Sequence, residues 1–212
     1  LDLVLAPTLN PESFEIEKEV VLEEIAQNND LPEEQIFQQL LQSCWGKHAY
    51  GRPILGYEKS LRVMTPSVMK SFHERLYKGI NCTISIAGVI PKDIEKTINE
   101  SRLSSIQAGG RRVKIQPHNP SLDFKTGHKE IKVKRLESSR LTMAWPIPEA
   151  KEQLQIMGSD IATSILCEGR RSRLISHLRE ELQIVESIEM DVTTLEEGGL
   201  IILEACCMEN QL

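Results

Sequence analysis

The sequence contains no long hydrophobic run. No stretch of about 18 consecutive apolar residues occurs among its 212 residues, so the sequence predicts no transmembrane helix. Aromatic residues account for only 4% of the chain, and the formal net charge is −6 at pH 7. Because nucleic-acid sites combine basic patches with aromatic side chains, we expect no nucleic-acid partner. A hydrophobic fraction of 40% and a charged fraction of 26% are typical of a folded globular protein.

The cysteines form no recognisable metal-binding or disulfide pattern. There is no Cys-x-x-Cys pair and no Cys/His cluster of the kind that binds structural zinc. The cysteines are odd in number and irregularly spaced: Cys44, Cys82, Cys167, Cys206 and Cys207. This pattern predicts free thiols in a reducing compartment such as the cytoplasm, and it leaves the periplasm or an organelle open.

Hydrophobic periodicity predicts that helices and strands alternate along the chain. The predicted helices cover Pro11–Asn29, Glu33–Trp45, Pro66–Tyr77, Pro91–Arg102, Lys151–Leu166 and Arg171–Leu182. The predicted strands cover Cys82–Gly88, Lys129–Leu136, Arg140–Trp145, Val185–Thr194 and Leu200–Cys207. This order indicates an α+β fold.

The periodic pattern is interrupted in the middle of the sequence. Gly109-Gly110-Arg111-Arg112 and scattered prolines predict an interdomain linker over residues 106–128. The linker separates a first domain, residues 1–105, from a second domain, residues 129–212. We expect both domains to be incomplete in this chain.

Two glutamates on the first predicted helix are candidates for metal binding. Glu17 and Glu24 are seven residues apart, about two helical turns, so they project from nearly the same side of the helix. Two carboxylates on one face suit a metal ion, with one contacting the ion and the other supporting a ligand. A solvated acidic face would have the same spacing, so the spacing alone does not separate the two interpretations.

The residues around these glutamates resemble the pitrilysin/insulinase family of zinc peptidases, including its processing-peptidase-like members. In that family a helix that follows a His-x-x-Glu-His motif supplies the third zinc ligand from a similar pattern, matched here by Glu17, Val20 and Glu24. The resemblance implies that Glu24 is the third zinc ligand and that Glu17 supports the ligands. It continues in the same order through nearly the whole chain, over residues 30–32, 48–56, 72–77, 81–88, 172–180 and 198–199.

The chain departs from the family pattern because it lacks the histidine motif. Neither His-x-x-Glu-His nor His-Glu-x-x-His occurs, and the five histidines are scattered. A catalytic zinc site uses three protein ligands, so we expect this chain alone to bind no zinc and to cleave no peptide. The resemblance places the catalytic residues upstream of Leu1. We therefore interpret the chain as an internal part of an active enzyme; the other interpretation is a remnant that has lost its site.

A second departure concerns substrate binding. Many relatives carry an arginine and a tyrosine seven residues apart in the second domain, where both reach the bound substrate. The resemblance assigns the arginine to Arg179, but Glu186 stands where the tyrosine is expected. In two-subunit members one chain carries the zinc and its partner carries this pair. The combination found here is therefore typical of the zinc-bearing chain, and Arg179 could equally be a surface residue paired with Glu180 or Glu181.

The resemblance implies a fold and a function for the full-length protein. It implies two related domains, each a mainly antiparallel sheet backed by helices. It also implies a Zn²⁺-dependent metalloendopeptidase that cleaves peptides or unfolded segments in an enclosed chamber. A peptide substrate and a homo- or heterodimer with a family member are the expected partners. The alternative is a non-catalytic scaffold or assembly subunit of the same fold.

Overall fold

The described part of the chain consists of helices interleaved with three β-strands. A computed structural model describes residues 2–105, 123–133, 136 and 138–207. Most of the predicted linker, residues 106–128, lies outside these ranges, and the predicted domain boundaries stay a prediction. None of the helices within these ranges has the length and hydrophobicity that crossing a membrane requires.

The helices and strands follow one another in this order. The α-helices are α1 (Asp2–Leu5), α2 (Pro11–Asp30), α3 (Pro32–Trp45), α4 (Glu58–Arg62), α5 (Pro66–Leu76), α6 (Ile94–Glu100) and α7 (Gln153–Cys167). A π-helix covers Ile175–Glu181, and short 3-10 helices cover Ala49–Gly51, Gly79–Asn81 and Arg102–Ser105. The strands are β1 (Ser139–Ile147), β2 (Ser187–Leu195) and β3 (Gly198–Cys207).

The chain divides into two compact units. The first unit comprises Leu1–Ile25 and Leu55–His118, and the second comprises Ala26–Ile54 and Asn119–Leu212. In the first unit, Leu22 and Ile25 of α2 are buried. Nε2 of His73 lies 2.6 Å from the carbonyl oxygen of Val4, which ties α5 to α1.

The second unit is built on a three-stranded antiparallel sheet. The strand order is β1-β3-β2, so the last strand in the chain lies in the middle. Ser139 pairs with Cys207 and Ile147 with Gly199 at the two ends of the β1–β3 ladder. Strand β3 follows β2 through a tight turn, with Leu195 opposite Gly198.

Side chains of β3 alternate between two cores, as the period of a strand requires. On one face Leu200 and Ile202 pack against Cys44 and Trp45 at the end of α3. On the other face Leu203 and Ala205 pack with Ile188 of β2 against side chains of α7 and the π-helix: Cys167, Ile175 and Leu178. The sheet therefore has helices on both faces, and the α+β prediction is confirmed.

Gly199 lies where the strands approach too closely for a side chain. A Cβ at this position would overlap the carbonyl oxygen of Thr193 and would stand 2.9 Å from Cγ1 of Ile147. Real Cβ atoms do not approach other atoms this closely, so the β2–β3 turn requires glycine here. This requirement explains one of the two glycines that contribute to the family resemblance.

Two predicted strands are wrong. Residues 82–87 form no strand, and residues 81–90 are all exposed. The backbone of 129–133 likewise belongs to no strand or helix. A strand forms only when a neighbour pairs with its N–H and C=O groups, and no residue of the described ranges pairs with either segment. The alternation of apolar residues was therefore insufficient to predict strands here.

Candidate metal centre

Helix α2 carries both candidate metal-binding carboxylates. It begins at Pro11, and the side-chain oxygen of Asn10 accepts a hydrogen bond from the N–H of Glu12 at 2.9 Å. Glu17 and Glu24 are seven residues apart, so their side chains point in directions about 20° apart around the helix axis. Along the axis they are separated by about 10.5 Å. At that separation the two carboxylates cannot both contact one ion through short side chains. They can contribute to one site only if one binds the metal and the other binds a ligand of the metal.

The face of α2 that carries these glutamates is exposed. Glu17 and Glu24 are both exposed, and so are Ile16 at 60% and Val20 at 44%. The buried residues of this helix are Leu22 and Ile25, which lie on another face. An exposed surface that combines carboxylates with β-branched apolar side chains is the kind of surface that another segment covers.

The described residues do not complete a zinc site. No group of three His, Cys, Asp or Glu side chains lies close enough to hold a metal ion in this part of the chain. Burial raises the pKa of the Cys44, Cys167 and Cys207 thiols, and zinc binds the thiolate form. The donor set of the described residues therefore does not fit a zinc ion without further residues.

Arg179 lies on the π-helix and is exposed. The five-residue hydrogen bond from the N–H of Leu182 to the carbonyl of His177 measures 2.9 Å. The two acids after Arg179 pair with other residues: Glu180 with Arg170 at 2.9 Å and Glu181 with His177 at 3.0 Å. The predicted pairing of Arg179 with either acid is therefore not found. The π-helix that carries Arg179 is a kind of segment that is common at functional sites.

Glu186, which replaces the expected tyrosine, is tied to the sheet. Its N–H donates to the carbonyl of Cys206 at 2.8 Å, and its Oε2 accepts from the Cys206 thiol at 3.5 Å. The described contacts include none between Glu186 and Arg179. The structure therefore does not bring these two residues together as a pair.

Sequence reasoning missed a hydrogen-bonded cluster around the buried His48. His48, Tyr50 and Glu197 bond to one another, although Glu197 lies 149 residues after His48 in the sequence. His48 is 1% exposed, so it packs in the loop and does not line a cleft. The run His48-Ala-Tyr50-Gly51 was a usable signal for a structured loop, whereas nothing in the sequence identified Glu197 as its partner.

Comparisons with known proteins agree with this fold. The family model described as peptidase M16 inactive domain matches residues 64–211. An uncharacterized zinc protease of Mycobacterium tuberculosis is 27% identical over 211 residues, which cover 99% of this chain and 48% of that protein. A protease from Helicobacter pylori has a similar structure, with a TM-score of 0.75, 18% identity and coverage of 93% of this chain and 48% of that one. A peptidase M16 inactive domain from Pseudomonas fluorescens gives a TM-score of 0.73 at 20% identity, covering 97% of this chain and 49% of that chain.

These matches define an M16-type metallopeptidase fold. The chain belongs to the peptidase M16 inactive domain family, and the resemblance to pitrilysin-type zinc peptidases is confirmed. It spans about half the length of the curated relatives that it matches. Those relatives are called zinc proteases, which supports zinc as the metal of the family.

Proposed function

We propose that the full-length protein is a zinc metalloendopeptidase and that this chain contributes one ligand, Glu24. The observation that carries the proposal is the pair of exposed glutamates on α2, spaced by seven residues, in a chain of the M16 family. The two remaining ligands and the catalytic base are residues of the full-length protein upstream of Leu1. Bound zinc supplies a nucleophile at neutral pH by making water more acidic. On its own this chain is inactive.

Glu17 acts on the site indirectly. It lies about 10.5 Å before Glu24 along the helix, so its carboxylate accepts a hydrogen bond from a ligating imidazole and orients it. The exposed Ile16 and Val20 lie on the same side of α2 and pack against the segment that carries the histidines. The glutamates and the apolar residues of this face then contact the same docked segment.

The substrate is a peptide or an unfolded segment enclosed in a chamber. Arg179 binds the substrate, and its guanidinium donates to a carbonyl or carboxylate of the peptide. Strands β1 and β2 each leave one edge unpaired among the described residues, so an extended peptide can add to the sheet. The chain with the zinc glutamates works in a dimer with a second family member, in a reducing compartment.

The full-length protein tests this proposal through its zinc content and its cleavage of fluorogenic peptides. Glu24→Gln removes one ligand, and we expect both zinc content and activity to fall more than about 100-fold. Glu17→Gln should reduce them by about 10- to 100-fold, since it removes a ligand's support. Glu19→Gln is the matched control: it is exposed on another face of α2 and should change neither. Zinc retained at wild-type level in Glu24→Gln contradicts the role of Glu24.

Arg179→Ala tests the substrate contact separately. We expect KM to rise by about tenfold at unchanged zinc content, because one charge-assisted hydrogen bond is lost. Arg173→Ala, also exposed and close in sequence, is the control. Equal KM values for the two variants would remove Arg179 from the site.

A scaffold subunit is the second candidate function, and one surface favours it. Helix α7 exposes an apolar stripe with spacings of three and four residues: Leu154 at 84%, Met157 at 60%, Ile161 at 58% and Ile165 at 50%. A stripe of this kind is typical of a protein interface. If the full-length wild type carries no zinc and cleaves no peptide, alone or with a family member, the scaffold function replaces the peptidase.

A further inference from the structure

The face of the sheet that packs against α7 and the π-helix, here called the α7 face, is covered over β2 and β3 but open over most of β1. Residues directly opposite each other in an antiparallel ladder have side chains on the same face. Leu141 stands opposite Ala205 and Met143 opposite Leu203, so all four belong to the α7 face. Ala205 and Leu203 are 6% and 8% exposed, whereas Leu141 and Met143 are 38% and 41% exposed. The helical layer therefore ends between β3 and β1.

An apolar groove lies where this layer ends. Its volume is about 270 Å³, and its lining includes Leu141 and Met143 of β1, Leu203 of β3 and Leu178 of the π-helix. Trp145 continues the exposed row along the α7 face of β1 and is 41% exposed. A row of large apolar side chains beside an apolar groove is the kind of surface that another apolar element covers.

The outer edge of β1 is also open. Within the described part of the chain, β1 pairs with β3 on one side and with nothing on the other. Natural sheets protect such edges with charged side chains. The other edge strand, β2, has the exposed acids Glu189 and Asp191, whereas the one charged residue of β1, Arg140, is paired with Glu33 at 3.1 Å. By this criterion β2 is a true edge and β1 is a strand that lacks a neighbour.

The order of the elements predicts what this neighbour is. Strands β1 and β2 are both antiparallel to β3, so they are parallel to each other, with α7 in their connection and β3 between them in the sheet. This is the first part of a split β-α-β arrangement, which a second helix and a fourth strand beside β1 complete. Crossovers of this kind are right-handed. The second one starts from a strand of opposite direction and crosses the sheet in the opposite sense, so its helix lies on the α7 face.

We propose that a helix and a strand of the full-length protein that follow β3 complete this unit. The helix covers Leu141, Met143 and Trp145 and fills the groove, and the strand pairs with the outer edge of β1, antiparallel to it. Pro146 has no N–H to contribute, so this pairing covers residues 139–145 of β1. Strand β2 keeps its free edge.

The length of the relatives allows this occupant. The match to the Mycobacterium tuberculosis protein covers 48% of that protein, so about half of it lies outside the match. A crossover helix and a strand need only on the order of 30 residues. A second copy of the chain that paired through β1 would bury the edge but leave the groove of each copy open. A helix joined to a strand covers both the face and the edge.

Amide hydrogen exchange of the full-length protein tests the pairing of β1. In an edge strand every second N–H points away from the sheet and exchanges readily, whereas a strand with two neighbours protects both sets. We expect all amides of residues 140–145 to exchange at least about 100-fold more slowly than unpaired amides, while residues 188–194 of β2 keep the alternation. The same alternation in β1 overturns the proposal. Glu24→Gln should leave both patterns unchanged, so this proposal and the peptidase function fail separately.

Thiol labelling of the full-length protein tests the helix. Met143→Cys and Glu189→Cys each introduce a thiol at an exposed position of a strand in this unit, and mass spectrometry separates them from the native cysteines. We expect the thiol at 143 to react at least about 100-fold more slowly than the thiol at 189, because the covering helix must open first. In denaturant the two rates should be equal. Equal rates in the native protein overturn the proposal, and the exchange of wild type decides if Met143→Cys does not fold.

Photo-crosslinking identifies the occupant. Photo-methionine incorporated at Met143 of the full-length protein reacts with the nearest side chain on illumination, and mass spectrometry locates the product. We expect crosslinks to residues that follow β3 in the same molecule. A mixture of ¹⁴N- and ¹⁵N-labelled protein distinguishes crosslinks within one molecule from those between two. Crosslinks between two molecules, crosslinks to residues before Leu1, or reaction with water alone overturn the proposal.

Discussion

Of the twelve buried apolar side chains in the described part of the chain, Leu22 and Ile25 belong to the first unit and the other ten to the second. The first unit instead exposes many large apolar residues, among them Phe72, Ile84 and Ile86. The second unit has a sheet whose two faces are covered by different helices, whereas the described residues of the first unit contain helices and no strand. Apolar residues alone are therefore not enough to form a hydrophobic core, because the helices also need a sheet or another helix to pack against.

The largest effect is expected at the closest backbone approach in the second unit. Gly199→Ala places a methyl group against the carbonyl of Thr193 and against Ile147, and should lower the free energy of unfolding by about 4 kcal/mol. Guanidinium denaturation followed by tryptophan fluorescence measures this, because Trp45 and Trp145, the two tryptophans of the chain, both lie in the second unit.

The control for Gly199→Ala is a glycine with open space around it. Gly158 lies within α7, and a Cβ there meets nothing within 4 Å. Gly158→Ala should raise the free energy of unfolding by about 0.5–1 kcal/mol through helix propensity. Equal effects of the two substitutions would contradict the steric account of Gly199.

A matched pair of isoleucines compares the two units directly. Ile202→Ala leaves a cavity among Trp45, Cys44 and Leu200 and should cost about 3 kcal/mol. Ile86→Ala, at a side chain that is 44% exposed in the first unit, should change stability by less than about 0.5 kcal/mol. Far-UV circular dichroism in denaturant follows both units. A cost at Ile86 comparable with that at Ile202 would show that the first unit buries this side chain.

The smallest effect concerns a carboxylate within the better-packed unit. Burial, and then the nearby Asp191, raise the pKa of Glu204, while Arg140 opposes the shift. Glu204 also stands directly opposite Glu189 in the β2–β3 ladder. Because the folded state holds this proton more tightly than the unfolded state, the group favours folding in acid, and that contribution is lost as the pH rises through the raised pKa.

Glu204→Gln should therefore stabilise the second unit at pH 7 by a few tenths of a kcal/mol, since water screens this half-exposed group. The gain should shrink at pH 4, where the native carboxyl is largely protonated. Glu130→Gln, at an exposed position of the same unit, is the control. A gain that is equal at pH 4 and pH 7 would contradict the electrostatic origin.

Local signals predicted most helices and the strands of the sheet. Pro11, Pro32 and Pro66 each begin a helix, as proline at a first helical position favours, and the strands β1, β2 and β3 match alternating segments within a few residues. The strand predicted at Cys82–Gly88 failed because pairing depends on a neighbour that local sequence does not specify. The sequence likewise does not show which side of α2 is buried, because Val20 and Leu22 are both apolar and only packing leaves Val20 exposed and Leu22 buried.

The candidate site could be predicted from the sequence only where its residues are regularly spaced along a single helix. The positions of Glu17 and Glu24 on one side of α2 follow from helical periodicity, and their chemical roles stay a prediction. The hydrogen-bonded cluster of His48, Tyr50 and Glu197 depends on a contact across 149 residues, which no local pattern contains. The bonding of Glu186 to Cys206 is likewise a consequence of sheet register.

The position of β3 in the middle of the sheet has a consequence for synthesis on the ribosome. Strands β1 and β2 pair with β3 and not with each other, so no part of this sheet can form until residues 198–207 have emerged. Helix α3 ends at Trp45, about 150 residues earlier, and its apolar face packs on that same strand. At elongation rates of about 5–20 residues per second, the apolar face of α3 remains without its partner strand for about 8–30 seconds. During that interval the nascent chain presents Trp45 and its neighbours as a binding site for a chaperone.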